Sequence, residues 1–520
     1  MRPSTVTSRS IAGVALLVLV LVPASGACVG DEPAAVGGPT ALGDGGPPLP
    51  PGMLPDGGLP AEQIPPGCNA TKDPKDEPCL IADSLGVFVS ATAGDDARDG
   101  TKASPVATIT RGIERARAIG KRRVYVCEGS YPEHVVLDEQ SNGLKLYGGL
   151  DCTSFTYSGG KPQVEPPAPG YALTLRAQSE PTTVQDFDFV ARDAIEAGTS
   201  SIGVLVDNVK DVTFKRVKVF AGRGVTAAVE MAEPPTNQPP TANLTGNGHS
   251  GGQVTCVDQT ASRGGNGGTA PAPVGASGFA VPATSGPGGE GGQDDQNDVC
   301  APTHQGKRGA NGAAQAGGTS AAVYGTLKPS GWEPARSNQG AAGRPGQGGG
   351  GGGYNAERGV NGNGGGAGSC GGAGGLGGRG GGASIAVALF NAGARFTESQ
   401  LVTSAGGDGG RGGRGEPSKP GGNAGTGACA GGVGGRGASG SGGGGGPGGL
   451  SAGIVWHLGA APSWEGSSVE DAPTLTNVSL GDGGGGGAGG PAGQAVDAVS
   501  GLLGEVGMPG AKKAVHKVVN

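Results

Sequence analysis

Aromatic residues make up only 4% of the 520-residue chain and charged residues 16%. So few aromatic rings leave little of the flat apolar surface on which sugars stack. The formal net charge is -7, and no basic cluster exceeds Lys121-Arg122-Arg123. The cationic footprint that neutralises phosphates is therefore missing, and no nucleic-acid partner is expected. There is no Cys-x-x-Cys, and none of the five histidines stands at ligand spacing to a cysteine, so no metal site is expected. No motif calls for a cofactor. The longest apolar run, residues 11–22, is too short to cross a bilayer as a helix, which takes about 20 residues.

What the chain has in abundance is glycine, 115 residues, with 40 prolines. A chain-wide average of this kind normally signals low complexity, but the distribution is uneven: 28 glycines precede residue 241 and 87 follow it. An ordinary domain thus comes first and a glycine-dominated half second. From 359 to 380 a glycine falls at every third position: Gly359, Gly362, Gly365, Gly368, Gly371, Gly374, Gly377 and Gly380. Segments 340–352, 431–449 and 481–493 keep the same spacing over shorter runs. A three-residue helix has no internal hydrogen bonds, and glycine at every third position clears one edge for a neighbour. Two readings stay open, a small polyglycine-type bundle and a disulfide-stapled flexible loop. The strict period favours order in 359–380 and 431–449.

Arg2 and Arg9 precede the apolar run, as in an export signal, and residues 1–27 are expected to be removed. Ser25-Gly26-Ala27-Cys28 resembles a bacterial lipobox, which implies acylation at Cys28; Val29 follows it rather than the Asp of inner-membrane retention. The expected location is the outer membrane through a lipid anchor, at the cell surface or the periplasmic face, with simple secretion as the alternative. With Cys28 acylated, eight of the nine cysteines can pair in an oxidising compartment. Sequence proximity suggests Cys68 with Cys79, Cys127 with Cys152, Cys256 with Cys300 and Cys370 with Cys429.

Residues 28–67 are rich in Pro and Gly and are expected to form a solvated tether. Beyond it, a helix is expected from Thr108, with Ile109, Ile113, Ala116 and Ile119 on one face and Gly120 as its C-terminal cap. Short strands follow at 124–127, 134–137, 144–147, 173–177 and 183–190. Segment 201–224 contains three strand-length pieces and aligns with 384–407, and more loosely with 451–483. Three strands and their corners in about 24 residues suit one coil of a parallel β-solenoid. The expected layout is an N-terminal β-domain at 68–226, coils at 384–407 and 451–483, glycine-rich insertions at 227–383 and 408–450, and a tail at 484–520.

Gly86-Val87-Phe88-Val89-Ser90, the Gly94-Asp95-Asp96 to Asp99-Gly100-Thr101 loop, Val124-Tyr125-Val126-Cys127 and Leu146-Tyr147-Gly148-Gly149-Leu150-Asp151-Cys152 carry a resemblance. They look like the domain of unknown function that opens many bacterial pectin-lyase-like proteins. Cys127 and Cys152 are similar to those of a lipoprotein subgroup with glycine-rich, PGRS-type repeats; Phe155 stands where that subgroup often has Trp. The resemblance implies an all-β fold, a right-handed parallel β-helix with an N-terminal capping helix and long glycine-rich insertions, and a surface location.

Some pectin-lyase-like proteins cleave polysaccharides, and glycosidases need two carboxylates. Asp186 and Asp188 are the one i, i+2 acidic pair on an expected strand; alternation alone would equally place Phe187 and Phe189 in the core and both aspartates in water. Lys215, Arg216 and Lys218 are expected as solvated charge on a corner. Asp95, Asp96 and Asp99 suit either a calcium loop or a plain turn. The chain is expected to be a cell-surface structural or interaction protein rather than an enzyme. A polysaccharide-binding adhesin is the first alternative and a lyase or glycosidase the second; extracellular polysaccharide or surface proteins are the expected partners besides the membrane.

Overall fold

The computed structural model describes residues 60–229, 234, 236–240, 242–282, 286–297, 299–426, 429–494 and 499–519. Cys28, the signal segment and most of the tether lie outside the described residues. The chain is mostly strand, and Ile109–Ala118 is the single α-helix among the described residues. The Thr108 side chain accepts the Arg111 N–H to cap its start. Gly120, with φ +68°, follows its end, a conformation that favours glycine.

Strands collect in three large sheets of eight, six and six members. The first holds Gly86–Val89, Arg123–Cys127, Lys145–Leu150, Thr182–Gln185, Val212–Lys215, Ala394–Thr397 and Ser463–Trp464, all parallel, and ends on the antiparallel Ser467–Ser468. The second runs Val135–Leu137, Leu173–Gln178, Ser201–Val209, Ser384–Phe390, Ser451–His457 and Lys512–Lys517. The third runs Gly129–Tyr131, Pro162–Val164, Asp188–Val190, Lys218–Ala221, Gln400–Thr403 and Val478–Ser479. From residue 123 onward the chain visits the first, third and second sheets in constant rotation. The three aligned segments pair strand for strand: Ser201 sits against Ser384 and Ser384 against Ser451, while Phe214, Phe396 and Trp464 share one line in the first sheet.

Inward side chains of all three sheets form one apolar core, with Val204, Val206, Phe214, Val219, Leu389, Phe396, Leu401 and Ile454 fully or almost fully buried. Phe214 and Phe396 stack with centroids 5.1 Å apart, and Trp464 continues the stack at 5.6 Å. Such pairs add about 0.5–1.5 kcal/mol beyond their area. Leu205, Ala388 and Val455, on the opposite face of the second sheet, are covered by Leu327 and Trp332 from the hairpin Gly325–Lys328 and Gly331–Pro334. That sheet is buried on both faces, which is why its strands read as continuous apolar runs.

The glycine-rich half is ordered as rods that hydrogen-bond sideways every third residue. N–H groups of Gly340, Gly343, Gly346, Gly349 and Gly352 donate to the carbonyls of Gly375, Gly372, Ser369, Gly366 and Asn363, an antiparallel pairing. Gly366, Ser369, Gly372, Gly375 and Gly378 donate in turn to Gly432, Gly435, Ala438, Ser441 and Gly444, a parallel one. Further rods at 407–416, 484–493 and 501–510 join by the same rule. A Cβ on Gly371 or Gly374 would lie 1.7 Å from the Gly343 or Gly340 carbonyl oxygen; one on Gly372 or Gly375 would lie 2.2 or 2.1 Å from that of Glu416 or Gly413. Both glycines of each triplet therefore clear an edge, each for a different neighbour, where the sequence pattern had suggested one. The parallel register runs on without a break, from Gly381 N–H to Pro447 to Ser384 N–H to Leu450, so adjacent rods enter the second sheet as adjacent strands.

All eight remaining cysteines are paired. Cys68–Cys79 and Cys127–Cys152 match the expectation. The later two correct it: Cys256 pairs with Cys370 and Cys300 with Cys429. Cys370 and Cys429 lie on neighbouring rods but out of register. The Cys429 carbonyl accepts the Asn363 N–H, and Asn363 precedes Cys370 by about seven residues, roughly 20 Å at about 3.1 Å per residue. The end of the expected tether is corrected as well. From Pro60 the chain is docked, with the Pro60 carbonyl accepting from Arg122 at 2.7 Å and Glu62 paired with Arg123 at 2.8 Å.

Candidate functional site

Asp186 and Asp188 do not share a strand. The expected strand 183–190 is broken into Thr182–Gln185 and Asp188–Val190, and Asp186 takes φ +59° at the corner between them. The turn sends Phe187 and Phe189 inward, both fully buried and stacked at 5.4 Å. Asp188 stands at the start of the next strand, 3.5 Å from Lys161. Asp186 is 1% exposed rather than in water.

Asp186 meets a cation that sequence alternation had assigned to solvent. Arg216 occupies the equivalent corner of the next round with φ +53°, and its side chain is 12% exposed. Its Nε and Nη2 reach the two Asp186 oxygens at 2.7 and 2.8 Å, a bidentate pairing of the strong kind. Asp73 adds a second carboxylate, 2.8 Å from Arg216 and 2.9 Å from Lys215. Gln185 Nε2 donates to Asp73 and Asp186 at 2.6 and 3.0 Å, and the Tyr157 hydroxyl donates to Asp186 at 3.2 Å. Loss of hydration opposes ionisation of Asp73, but the Lys75 N–H, Lys215 and Arg216 outweigh it and hold its carboxyl down at about 2. These charges satisfy one another, and both oxygens of Asp186 are engaged, so the arrangement offers no free acid beside a free base. Asp73 was missed because it lies more than a hundred residues from its partners; no local signal pointed to it.

The basic triplet is also consumed internally. Arg123, 2% exposed at its side chain, forms two bonds to Glu62, Arg122 pairs with Glu180, and Lys121 donates to the Gly86 carbonyl. Asp96 accepts the Ala107 and Thr108 N–H groups and the Thr108 hydroxyl, so it organises the helix start. Asp95 and Asp99 accept the N–H groups of Ala97 and Thr101, as turn residues do. Trp456 and Trp464, 4% and 5% exposed, belong to the core.

Openings among the described residues include a groove and a cleft beside the sheets. A polar groove of about 1080 Å³ crosses successive rounds at the corner between the second and first sheets, lined by Asn142, Gln178, Glu180, Asn208, Lys210 and Asn391. Asn208 and Asn391 take φ +54° and +47° at matching corners, and the Asn391 amide donates to the Asn208 oxygen at 2.9 Å. Strand spacing places such corners about 4.8 Å apart. A second cleft of about 810 Å³ lies between Tyr171, Arg192, Glu196 and the hairpin residues Lys328, Trp332 and Glu333. In its lining, the Tyr171 hydroxyl donates to the Ser330 carbonyl at 2.6 Å.

No family model matches the chain, and no curated protein resembles it.

Proposed function

We propose that the chain is an exported surface protein, lipid-anchored at Cys28, in which a right-handed parallel β-helix and a glycine-rod bundle form a rigid structural or interaction body. The rotation of the chain through three sheets with in-register pairing supports the solenoid. The observation that carries a non-catalytic role is the Asp73–Arg216–Asp186 cluster, because the one acidic pair that suggested an enzyme is turned apart, with Asp186 bound to a guanidinium and Asp188 facing Lys161. The chain from Cys28, expressed with its signal, partitions with outer membranes and releases no reducing or unsaturated sugar ends from polysaccharide. A Cys28→Ser chain that stays membrane-bound refutes the anchor, and sugar release abolished by Asp186→Asn refutes the non-catalytic reading.

Polysaccharide binding is the second reading, favoured by the groove across successive rounds. The Asn208 and Asn391 amides stand there on neighbouring rounds, with Gln178, Glu180 and Lys210 beside them, an arrangement a linear hydroxyl-rich chain can follow. A glycan array that shows binding, lost in Asn208→Ala with Asn391→Ala, supports it.

A further inference from the structure

The two later disulfides have unlike surroundings. Cys256–Cys370 is enclosed by Val254, Ala367 and Leu244, an ordinary apolar setting. Beside Cys300–Cys429 stand instead a carboxylate and an imidazole. Asp295 has no exposed surface, and its Oδ2 lies 3.5 Å from Cys429 Sγ. The donor atoms of Asp295, Cys300 and Cys429 all fall within 4.8 Å of one another. His304 Nδ1, buried and in no hydrogen bond, is 3.1 Å from Asp295 Oδ1. The carboxylate is fixed from behind: Oδ2 accepts Asn355 Nδ2 at 2.9 Å and the Cys300 N–H at 3.1 Å.

A disulfide is neutral and offers this buried anion no counter-charge. Two thiolates, a carboxylate and an imidazole are the ligand types zinc takes, in tetrahedral geometry with bonds of about 2.0–2.3 Å and so ligand–ligand edges of roughly 3.3–3.8 Å. His304 Nδ1 to Asp295 Oδ1 at 3.1 Å and Cys429 Sγ to Asp295 Oδ2 at 3.5 Å, one to each carboxylate oxygen, are close to such edges, and His304 must close on the two sulfurs for all four groups to bind one ion. Opening the disulfide frees the two sulfurs to move apart and adjust, and Asn355 is placed as the outer partner that orients a ligating carboxylate.

We propose that Cys300, Cys429, Asp295 and His304 form a Zn²⁺ site that exists when the Cys300–Cys429 bond is open. Opening transfers two electrons and two protons from a dithiol, which becomes a disulfide, to the two cysteine sulfurs. Zn²⁺ then displaces both thiol protons and binds the thiolates, the ionised carboxylate and the neutral imidazole. A disulfide oxidant reverses the sequence: it takes two electrons, the cysteine bond re-forms and the metal leaves. The metal thus replaces the disulfide as the link between residue 300 and the rod segment that holds Cys429. Sequence reading passed over the short spacing of Asp295, Cys300 and His304, the last two only four residues apart, because the fourth ligand, Cys429, comes 129 residues after Cys300.

The test is a Co²⁺ titration of the full exported chain, with and without a phosphine reductant. The reduced protein takes up one Co²⁺ with thiolate-to-metal charge-transfer absorption, and the oxidised protein takes up none. Cys256→Ser with Cys370→Ser keeps the signal; Cys300→Ser with Cys429→Ser loses it. Asp295→Asn and His304→Gln each weaken binding at least about 10-fold. In mass mapping after alkylation, Zn²⁺ protects Cys300 and Cys429 but not Cys256 and Cys370. Equal spectra for the reduced wild-type chain and the Cys300→Ser, Cys429→Ser chain overturn the proposal. So does a reduced chain that unfolds and takes up no cobalt, because metal binding to a folded-state site stabilises the fold.

Discussion

The sheets bury side chains, whereas the rods bury backbone. In the sheet half, Val204, Val206, Phe214 and Phe396 fill the space between layers, and apolar area removed from water supplies the drive at about 25 cal/mol per Å². In the rod half, residues 438–450 are buried throughout yet consist almost entirely of Gly, Ala, Ser and Pro. Such residues have little apolar area to contribute, and ordering glycine costs more backbone entropy than ordering any other residue. What remains is close approach: with no Cβ in the way, each N–H finds a carbonyl on the next rod and dispersion contacts form between backbones. The two halves nevertheless share one register where rods run into strands at Ser384 and Ser451. A sheet with side chains and a lattice without them are thus two solutions to the same requirement, that every buried backbone group be paired.

Amide exchange gives the largest expected effect. The N–H groups of Gly366, Gly372, Gly375 and Gly378 all donate to a neighbouring rod. If the rods match the sheets in order, these amides exchange at least about a thousandfold more slowly than free peptide, an opening cost of roughly 4 kcal/mol. Exchange within seconds, alongside protected amides in Ser201–Val209, would reduce the rods to linkers and end the parallel.

Side-chain deletion separates the two halves. Phe214→Ala removes the ring between Val184 and Phe396 and should cost about 3–5 kcal/mol in denaturant unfolding. Cβ addition is the mirror experiment. Gly371→Ala forces a methyl to within 1.7 Å of the Gly343 carbonyl oxygen and 2.2 Å of its carbon, so rods must part, at about 2–3 kcal/mol. Gly170→Ala, with nothing within 4 Å, stays within about 0.5 kcal/mol of the parent. Equal stability of the two alanine variants would mean that the rods are not tightly packed.

How much of this could be read in the sequence differs between the halves for the same physical reason. The repeat at 201–224 and 384–407 was visible because inward side chains recur at matched positions, and the structure pairs Ser201 with Ser384. The period-three glycines announced rods but not which rod neighbours which, because a glycine carries no side chain to specify a partner. The pairing of Cys256 and Cys370 depended on that missing information. Asp186 failed differently: Phe187 and Phe189 lie inward as alternation places them, but Asp186 sits at a left-handed corner enclosed by Tyr157, Gln185 and Arg216 instead of water. Arg216 sits at the matching corner of the next round, which is how two residues expected in solvent came to form a buried pair.

The smallest expected effect is electrostatic and belongs to the sheet half. Asp73 titrates at about 2 in the folded protein, below its ordinary 3.8. A depressed folded value means that the unfolded chain binds the proton more tightly, so the stabilisation is present above about pH 4 and is lost as pH falls toward about 2. Asp73→Asn should therefore be less stable than the parent at neutral pH by on the order of 1–2 kcal/mol, allowing for screening on the solvent side. The difference should shrink as the parent is acidified. Arg216 keeps Asp186 in the variant, so the guanidinium is not left unpaired. Unfolding midpoints of both proteins at pH 6 and near pH 2 measure the difference directly. The exchange of Gly366, whose bonds to Gly349 and Gly432 are backbone only, should show no matching change between the two proteins. A gap between parent and variant that widens in acid would mean that Asp73 is not ionised against Arg216 and Lys215, and that the corner is held by its hydrogen bonds alone.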